Sequence, residues 1–190
     1  MRNTTLPKLE KLFIDRWSPR AFLPDKVSHE DLMTLFEAAR WSPSCFNEQP
    51  WHFLYAVSDA DLARFRSVLN EKNRVWASNA PVLIIAFSRA RFQRNQKPNR
   101  WADFDTGSAW MALTLQANQL ELHCHAMGGF DQDRAYEVTH VDRDQYNAIC
   151  VIAVGRRGDA DVLPEDLRER EAPSDRKPLD DMITEGRMPG

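Results

Sequence analysis

A polar, conformationally restricted segment at residues 42–51 holds the residues best suited to bind a ligand. Its sequence is Ser-Pro-Ser-Cys-Phe-Asn-Glu-Gln-Pro-Trp. Ser44, Asn47 and Gln49 offer both hydrogen-bond donors and acceptors. Pro43 and the proline before the tryptophan restrict the backbone on either side. Such a segment can hold a planar polar ligand, although its composition alone favours a capped helix end followed by a turn.

Three arginines in two other segments are candidates for binding an anion. Arg16 and Arg20 flank Ser18 in the run Arg-Trp-Ser-Pro-Arg, and Arg176 lies within residues 173–178. An arginine side chain presents a planar fork of donors to a phosphate and keeps its charge. Taken singly, these arginines are explained more simply as solvated surface residues.

A pair of glycines, Gly128 and Gly129, forms a further candidate site. Adjacent glycines let the backbone approach a ligand closely and direct its N–H groups toward it. A plain loop is the simpler interpretation of the same pair.

The run His123-Cys124-His125 suggests a metal, but the sequence does not complete a ligand set. A structural zinc site needs four ligands at suitable spacing, and only His140 lies close enough in sequence to add to the run. We therefore predict no metal site.

Length and composition predict one domain with a sizeable core over residues 1–190. The chain is 43% hydrophobic and 28% charged, as expected of a globular protein. A formal net charge of -3 gives no reason to expect a nucleic-acid partner. The three cysteines form no C-x-x-C motif, which argues against a disulfide framework.

Nothing in the sequence predicts a membrane association. No apolar run approaches the ~18 residues of a membrane span. The N-terminal stretch lacks the apolar region of a signal peptide. We therefore expect a cytoplasmic protein.

Hydrophobic periodicity predicts the elements that must position these candidate residues. Helices are expected over 5–15, 28–41, from 59 onward, 101–122, from 131 onward and near 164–170. Strands are expected over 51–57, 82–87 and 148–154, where β-branched and aromatic residues concentrate. Ser28, Asp59 and Asp131 are expected to cap their helices. The continuous apolar run at 82–87 is typical of a strand covered on both faces.

Three further stretches each allow two interpretations. Residues 89–100 carry five basic residues in twelve; a solvated connection is the simplest interpretation, and the alternative is a mobile lid that attracts a phosphorylated cosubstrate. The helix at 101–122 is apolar around most of its circumference, which predicts burial in the core or in a subunit interface. Residues 156–190 are rich in charge and proline, so we expect a C-terminal extension that packs over the domain or a partner subunit.

The order of these motifs resembles that of the FMN-dependent nitroreductase family. The chain has R-x-S-x-R at 16–20, P-S-x-x-N-x-Q-P-W at 43–51, G-G at 128–129 and P-S-x-R-x-P-L at 173–179. The resemblance covers nearly the whole chain, and the second motif is its most specific part. It implies an α+β fold with a central, mostly antiparallel sheet flanked by helices. It also implies an intertwined homodimer with two FMN sites at the interface.

The resemblance assigns roles to the candidate residues by position. It implies that Arg16 and Ser18 lie near the FMN phosphate and ribityl chain, that Arg20 lies near the pyrimidine edge, and that Arg176 returns to the phosphate. The residues implied along the ring and ribityl chain, from the other subunit, are Pro43, Ser44, Asn47 and Gln49. Gly128 and Gly129 would face N5 of the ring through their backbone.

The activity implied by the resemblance is that of an FMN-dependent NAD(P)H oxidoreductase. NADH or NADPH would reduce the flavin and leave, and a nitroaromatic, quinone or related acceptor would take its place in a ping-pong mechanism. No side chain need act as an acid or base, so no catalytic residue is named. The alternative is a flavin-binding or flavin-handling module with little nicotinamide-driven turnover.

Overall fold

Four strands form one sheet at the centre of the computed structural model, which describes residue 4 and residues 6–188. They are β1 (Trp51–Ala56), β2 (Val82–Arg89), β3 (His123–Met127) and β4 (Tyr146–Gly155), arranged in the order β1-β2-β4-β3. Each neighbouring pair is antiparallel. The expected antiparallel sheet is therefore confirmed.

Seven α-helices accompany the sheet within the described residues. They are α1 (Lys11–Asp15), α2 (His29–Arg40), α3 (Asp59–Arg66), α4 (Glu71–Ala77), α5 (Ala102–Gln119), α6 (Gln132–Thr139) and α7 (Glu165–Arg168). Short 3₁₀ turns occupy Cys45–Asn47, Ala160–Val162 and Leu179–Asp181. Segregation of helices to the faces of an antiparallel sheet is the α+β arrangement, so the predicted fold class is confirmed.

The central strand β2 is buried on both faces, as its continuous apolar run predicts. Leu83, Ile85 and Phe87 pack into a core with α3, α4 and α6. The alternating residues, among them Val82 and Ile84, pack into a second core with α2 and α5. Side chains alternate between the faces of a strand, so β2 contributes side chains to both hydrophobic cores. The second core also holds α5 and Cys124 of β3, so it positions α5 against β3.

Helix caps confirm part of the predicted element boundaries. The Ser28 hydroxyl accepts a hydrogen bond from the backbone N–H of Asp31 at 2.9 Å, and α2 begins at the next residue. Asp131 caps α6 in the same way. The expected cap at Asp59 is wrong: Ser58 caps α3, because its side chain accepts from the N–H three residues later.

The first predicted helix is much shorter than expected. Residue 5 lies outside the described residues, and α1 begins only at Lys11. Leu6 and Leu9 are exposed, so no tertiary packing supports an earlier turn, and a short helix gains little stability without it. Helix α4 and strand β3 were not predicted, because both are short and carry polar residues within their apolar pattern.

One face of α5 and much of the C-terminal extension expose apolar side chains. Phe104 is 73% exposed, and Trp101 just before the helix is 42% exposed. In the extension, Met182 and Ile183 are also exposed. Within one chain the core alone therefore does not bury this helix, and its burial in a subunit interface stays a prediction. Exposed apolar side chains that lie together can mark an interaction site.

The described residues include neither a candidate membrane-spanning helix nor a candidate metal-binding cluster. None of the helices there is long and apolar enough to cross a membrane. No group of three or more histidine, cysteine or acidic side chains in that part of the chain is arranged to hold a metal ion.

Candidate functional site

Three residues from the two ends of the chain line one cleft beside the edge strand β3. Arg16 and Ser18 come from the segment after α1, and Arg176 comes from the C-terminal extension. The cleft encloses about 430 Å³. Its other lining residues are Phe13, Trp110, Met111, Thr114, His125 and Ala126. Two guanidinium groups and a hydroxyl beside an apolar wall are suited to bind an anion attached to a larger organic group.

Hydrogen bonds within the chain hold these side chains. Arg16 Nη1 donates to Ser18 Oγ at 3.3 Å. Arg176 Nη1 donates to the carbonyl oxygens of Ser174 and Asp175 at 3.2 and 3.0 Å. A guanidinium has five N–H donors, and these bonds of Arg176 use only its Nη1.

Arg20 is held differently, by a buried carboxylate from the extension. Its Nη1 lies 3.6 Å from Glu171 Oε2. Glu171 Oε1 accepts hydrogen bonds from the backbone N–H groups of Arg20 and Ala21, at 2.6 and 2.9 Å. The Glu171 side chain is only 3% exposed. It therefore ties the extension to the segment that carries Arg16 and Ser18.

His125 is a cleft residue that the sequence analysis had considered only as a metal ligand. Its Nδ1 lies 2.9 Å from the carbonyl oxygen of Pro19. A carbonyl can only accept, so Nδ1 carries the proton. Burial lowers the pKa of His125, and the positive charge of Arg20 lowers it further, whereas the bond to Pro19 opposes the shift. The ring is therefore neutral at pH 7. Its centre lies 4.5 Å from the centre of the Trp76 ring.

The segment 42–51 forms a tight, internally bonded turn. Ser44 Oγ accepts from the Gln49 backbone N–H at 2.9 Å. The Gln49 amide donates to the carbonyl oxygen of Asn47 at 2.9 Å. Phe46, Asn47 and Gln49 all have positive φ, near 50°. Left-handed backbone is uncommon outside glycine, so three such residues in one turn indicate a geometry imposed by the surrounding structure.

This turn does not reach the cleft of Arg16 within one chain. Pro43 lines a neighbouring cleft, also of about 430 Å³, together with Trp41 and residues of α5. The two clefts share Met111. One chain therefore presents the arginine group and the turn as two separate half-sites along α5.

A buried carboxylate on α5 positions the turn. Asp105 is 4% exposed, and its Oδ2 accepts a hydrogen bond from the backbone N–H of Cys45 at 3.0 Å. Sequence reasoning missed Asp105, because nothing distinguishes it from a solvated residue at the start of a helix.

The two glycines differ in their surroundings. A methyl group on Gly129 would collide with Nδ2 of Asn70. The Gly129 carbonyl also accepts from the Asn73 amide at 2.9 Å. By contrast, a methyl group on Gly128 would meet nothing within 4 Å. Gly129 thus serves close packing against α4, and Gly128 is the one of the pair whose backbone borders open space.

Comparison with known proteins shows the family of the chain. The model of the nitroreductase family matches residues 14–75 and 63–156. A Streptomyces coelicolor protein named for an inferred NADH dehydrogenase/NAD(P)H nitroreductase activity is 31% identical over 163 residues, which are 76% of this chain and 80% of that protein. A Ralstonia nicotianae protein with the same kind of name is 26% identical over 168 residues, 77% of this chain and 85% of its own.

Solved structures agree with this family assignment. A crystal structure described as an oxidoreductase containing FMN is 42% identical, covers 100% of this chain and 96% of its own, and superposes with a TM-score of 0.94. An Exiguobacterium sibiricum protein assigned as a nitroreductase, in complex with FMN, shares the fold at 20% identity with a TM-score of 0.76, over 95% of this chain and 99% of its own. From the match of the family model, the identity of these relatives and the shared fold, we conclude that the chain belongs to the nitroreductase family.

Proposed function

We propose that this protein is an FMN-dependent NAD(P)H oxidoreductase that reduces nitroaromatics, quinones or related small acceptors. The observation that carries the proposal is the convergence of Arg16, Ser18 and Arg176 in one cleft. FMN ends in a phosphate with close to two negative charges, and arginines supply permanent compensating charge. The apolar wall of the same cleft suits the less polar part of such a ligand.

FMN, when bound, would supply the hydride-transfer chemistry between the nicotinamide and the acceptor. The chain contributes binding and electrostatics. Arg16, Ser18 and Arg176 hold the phosphate and ribityl chain. Arg20, held in place by Glu171, provides positive charge at the pyrimidine edge, where it favours added negative charge. No proton transfer by a side chain is required.

We further propose that two copies of the chain complete each site. The turn with Pro43, Ser44, Asn47 and Gln49 from one copy would meet the arginine cleft of the other, and the open backbone at Gly128 would face N5. The exposed face of α5 and the apolar residues of the extension give such a homodimer its interface. The nicotinamide and the acceptor would occupy the same place in turn, as a ping-pong mechanism requires.

We also propose that the chain is one domain whose extension packs on the partner subunit, and that it resides in the cytoplasm. All three cysteines are unpaired thiols, which is usual in a reducing compartment.

The test begins with the absorbance spectrum of the purified protein and identification of any released chromophore. We expect a yellow protein that releases about one FMN per chain, and rapid bleaching of the flavin by NADH or NADPH without oxygen. A colourless protein that stays colourless after FMN is added would refute the proposal. A yellow protein whose flavin neither nicotinamide reduces would favour a flavin-handling module instead.

A further inference from the structure

The basic segment at residues 89–100 is a hydrogen-bonded hairpin. The Phe92 N–H donates to the Lys97 carbonyl at 2.9 Å, and the Asn99 N–H donates to the Ala90 carbonyl at 2.8 Å. Phe92 and Asn99 are buried and anchor the hairpin. Hydrogen bonds and buried side chains within the chain thus define the shape of the hairpin. Its mobility stays a prediction.

The hairpin presents a cluster of cations without acidic partners. Arg91, Arg94, Lys97 and Arg100 are all exposed. In the part of the chain that the structure describes, no carboxylate forms an ion pair with any of the four. The carboxylate of Glu48 accepts a hydrogen bond from the backbone N–H of Gln93 and is not ion-paired with any of these cations. Clustered cations with uncompensated charge attract anions.

Direct contacts join this hairpin to the turn at 42–51. The guanidinium carbon of Arg94 lies 3.8 Å from the centre of the Phe46 ring. The Phe46 and Phe92 rings meet edge to face at 5.9 Å. Phe46 adopts this position with φ of 56° and ψ of 23°, a strained conformation for a phenylalanine. The strain places an aromatic platform beneath Arg94, although the ring itself is 69% exposed.

Stacking leaves the donor edge of Arg94 available. A guanidinium on an aromatic ring binds through its face. Its N–H groups then point outward in the plane, in the fork that pairs with phosphate oxygens. The platform also limits the orientations of the side chain, which reduces the entropy lost when a ligand binds.

We infer that Arg94, held on Phe46 and supported by Arg91, Lys97 and Arg100, binds the 2′-phosphate of NADPH and makes NADPH the preferred cosubstrate. The inference rests on the proposed function, because it assumes that the neighbouring turn borders the flavin ring over which the nicotinamide binds. NADPH differs from NADH only by this phosphate, so a cluster of cations that contacts the turn at 42–51 would distinguish the two.

The experiment compares Arg94→Gln with the unchanged protein, both loaded with FMN, by anaerobic stopped-flow reduction. The dissociation constant for NADPH should rise about tenfold, the loss expected for one charge-assisted contact. That for NADH should change less than about twofold, since one exposed charge contributes little. The limiting rate of reduction should stay the same. Arg143→Gln is a control for the loss of one exposed arginine beside an aromatic ring outside the hairpin. Arg143 lies 5.0 Å from the Tyr136 ring but, unlike Arg94, pairs with Asp133.

A second variant and a second measurement keep the outcome decisive. Phe46→Leu should weaken NADPH binding in the same direction, because it removes the platform but no charge. Equal changes for NADPH and NADH in Arg94→Gln, or no change for either, would overturn the inference. If neither nicotinamide reduces the flavin, the proposed function fails, and calorimetry with 2′,5′-ADP and AMP tests the phosphate site by itself. Tighter binding of 2′,5′-ADP that is lost in Arg94→Gln would support the site, and equal binding of the two nucleotides would refute it.

Discussion

Removal of the Glu171 carboxylate should destabilise the protein far more than its place in a charged, mostly exposed extension suggests. Its Oε1 accepts two backbone hydrogen bonds, from Arg20 and Ala21, and its Oε2 faces the Arg20 guanidinium. Hydrogen bonds to a charged group each contribute about 1.5–3 kcal/mol. Breaking a buried pair by removing one partner costs about 3–5 kcal/mol. We therefore expect Glu171→Ala to lower the free energy of unfolding by about 3–5 kcal/mol.

Glu171→Gln should cost less, about 1–2 kcal/mol, because it keeps one acceptor for the two N–H groups and loses only the charge. Glu169→Ala is the control: Glu169 is exposed two residues away and forms no ion pair within the described residues. Such surface changes stay within about 0.5 kcal/mol.

The assay is urea unfolding followed by circular dichroism, at one fixed protein and FMN concentration, since ligands and association shift apparent stability. A Glu171→Ala protein as stable as Glu169→Ala would refute the reasoning. It would mean that the extension is not anchored to the segment at 16–21 through this side chain.

Three further outcomes test other parts of the structure. Arg16→Ala and Arg176→Ala should each weaken FMN binding by roughly tenfold or more in fluorescence titration, the loss expected for charge-assisted bonds to phosphate; unchanged affinity in both would remove them from the site. Gly129→Ala should lower the free energy of unfolding by about 0.5–2 kcal/mol, because the methyl group would displace the Asn70 side chain that caps α4. Gly128→Ala should leave it nearly unchanged, and equal effects on thermal unfolding would contradict the packing described. Burial raises the pKa of the Cys124 thiol to about 12. We therefore expect this thiol to stay protonated, and not to react with Ellman's reagent, in the folded protein at pH 8. Labelling of Cys124 before unfolding would show that the thiol is accessible.

The sequence predicts the elements with strong periodicity and misses those without it. Strand β2 and helix α2 were found because a continuous apolar run and a clear helical stripe mark them. Strand β3 was missed because His123 and His125 interrupt its apolar pattern. In the structure β3 is an edge strand, and His123 and His125 lie on the same face of it. The side chain between them, Cys124, points to the opposite face and is buried.

The candidate site shows a similar division. Arg16, Ser18 and Arg176 were recognisable because arginine and serine in a motif order suggest phosphate binding. Glu171 and Asp105 were not recognisable, because both act through long-range hydrogen bonds to backbone N–H groups that only the folded chain brings near. Glu171 accepts two such bonds and Asp105 accepts one. Their residue types carry no signal until the partner is known. The strained φ angles of the turn at 42–51 were hidden for a related reason, because no glycine marks them.

The strained turn also sets stability and ligand binding against each other. Each left-handed residue that is not glycine costs the folded protein about 1–2 kcal/mol, and Phe46, Asn47 and Gln49 all have this geometry. The folding of the domain offsets this cost. The turn is therefore ordered before a ligand contacts it, and less conformational entropy is lost when the ligand binds. Selection for heat resistance alone would therefore favour glycine at these three positions, and the resulting protein would be more stable but would bind a ligand at the turn less tightly.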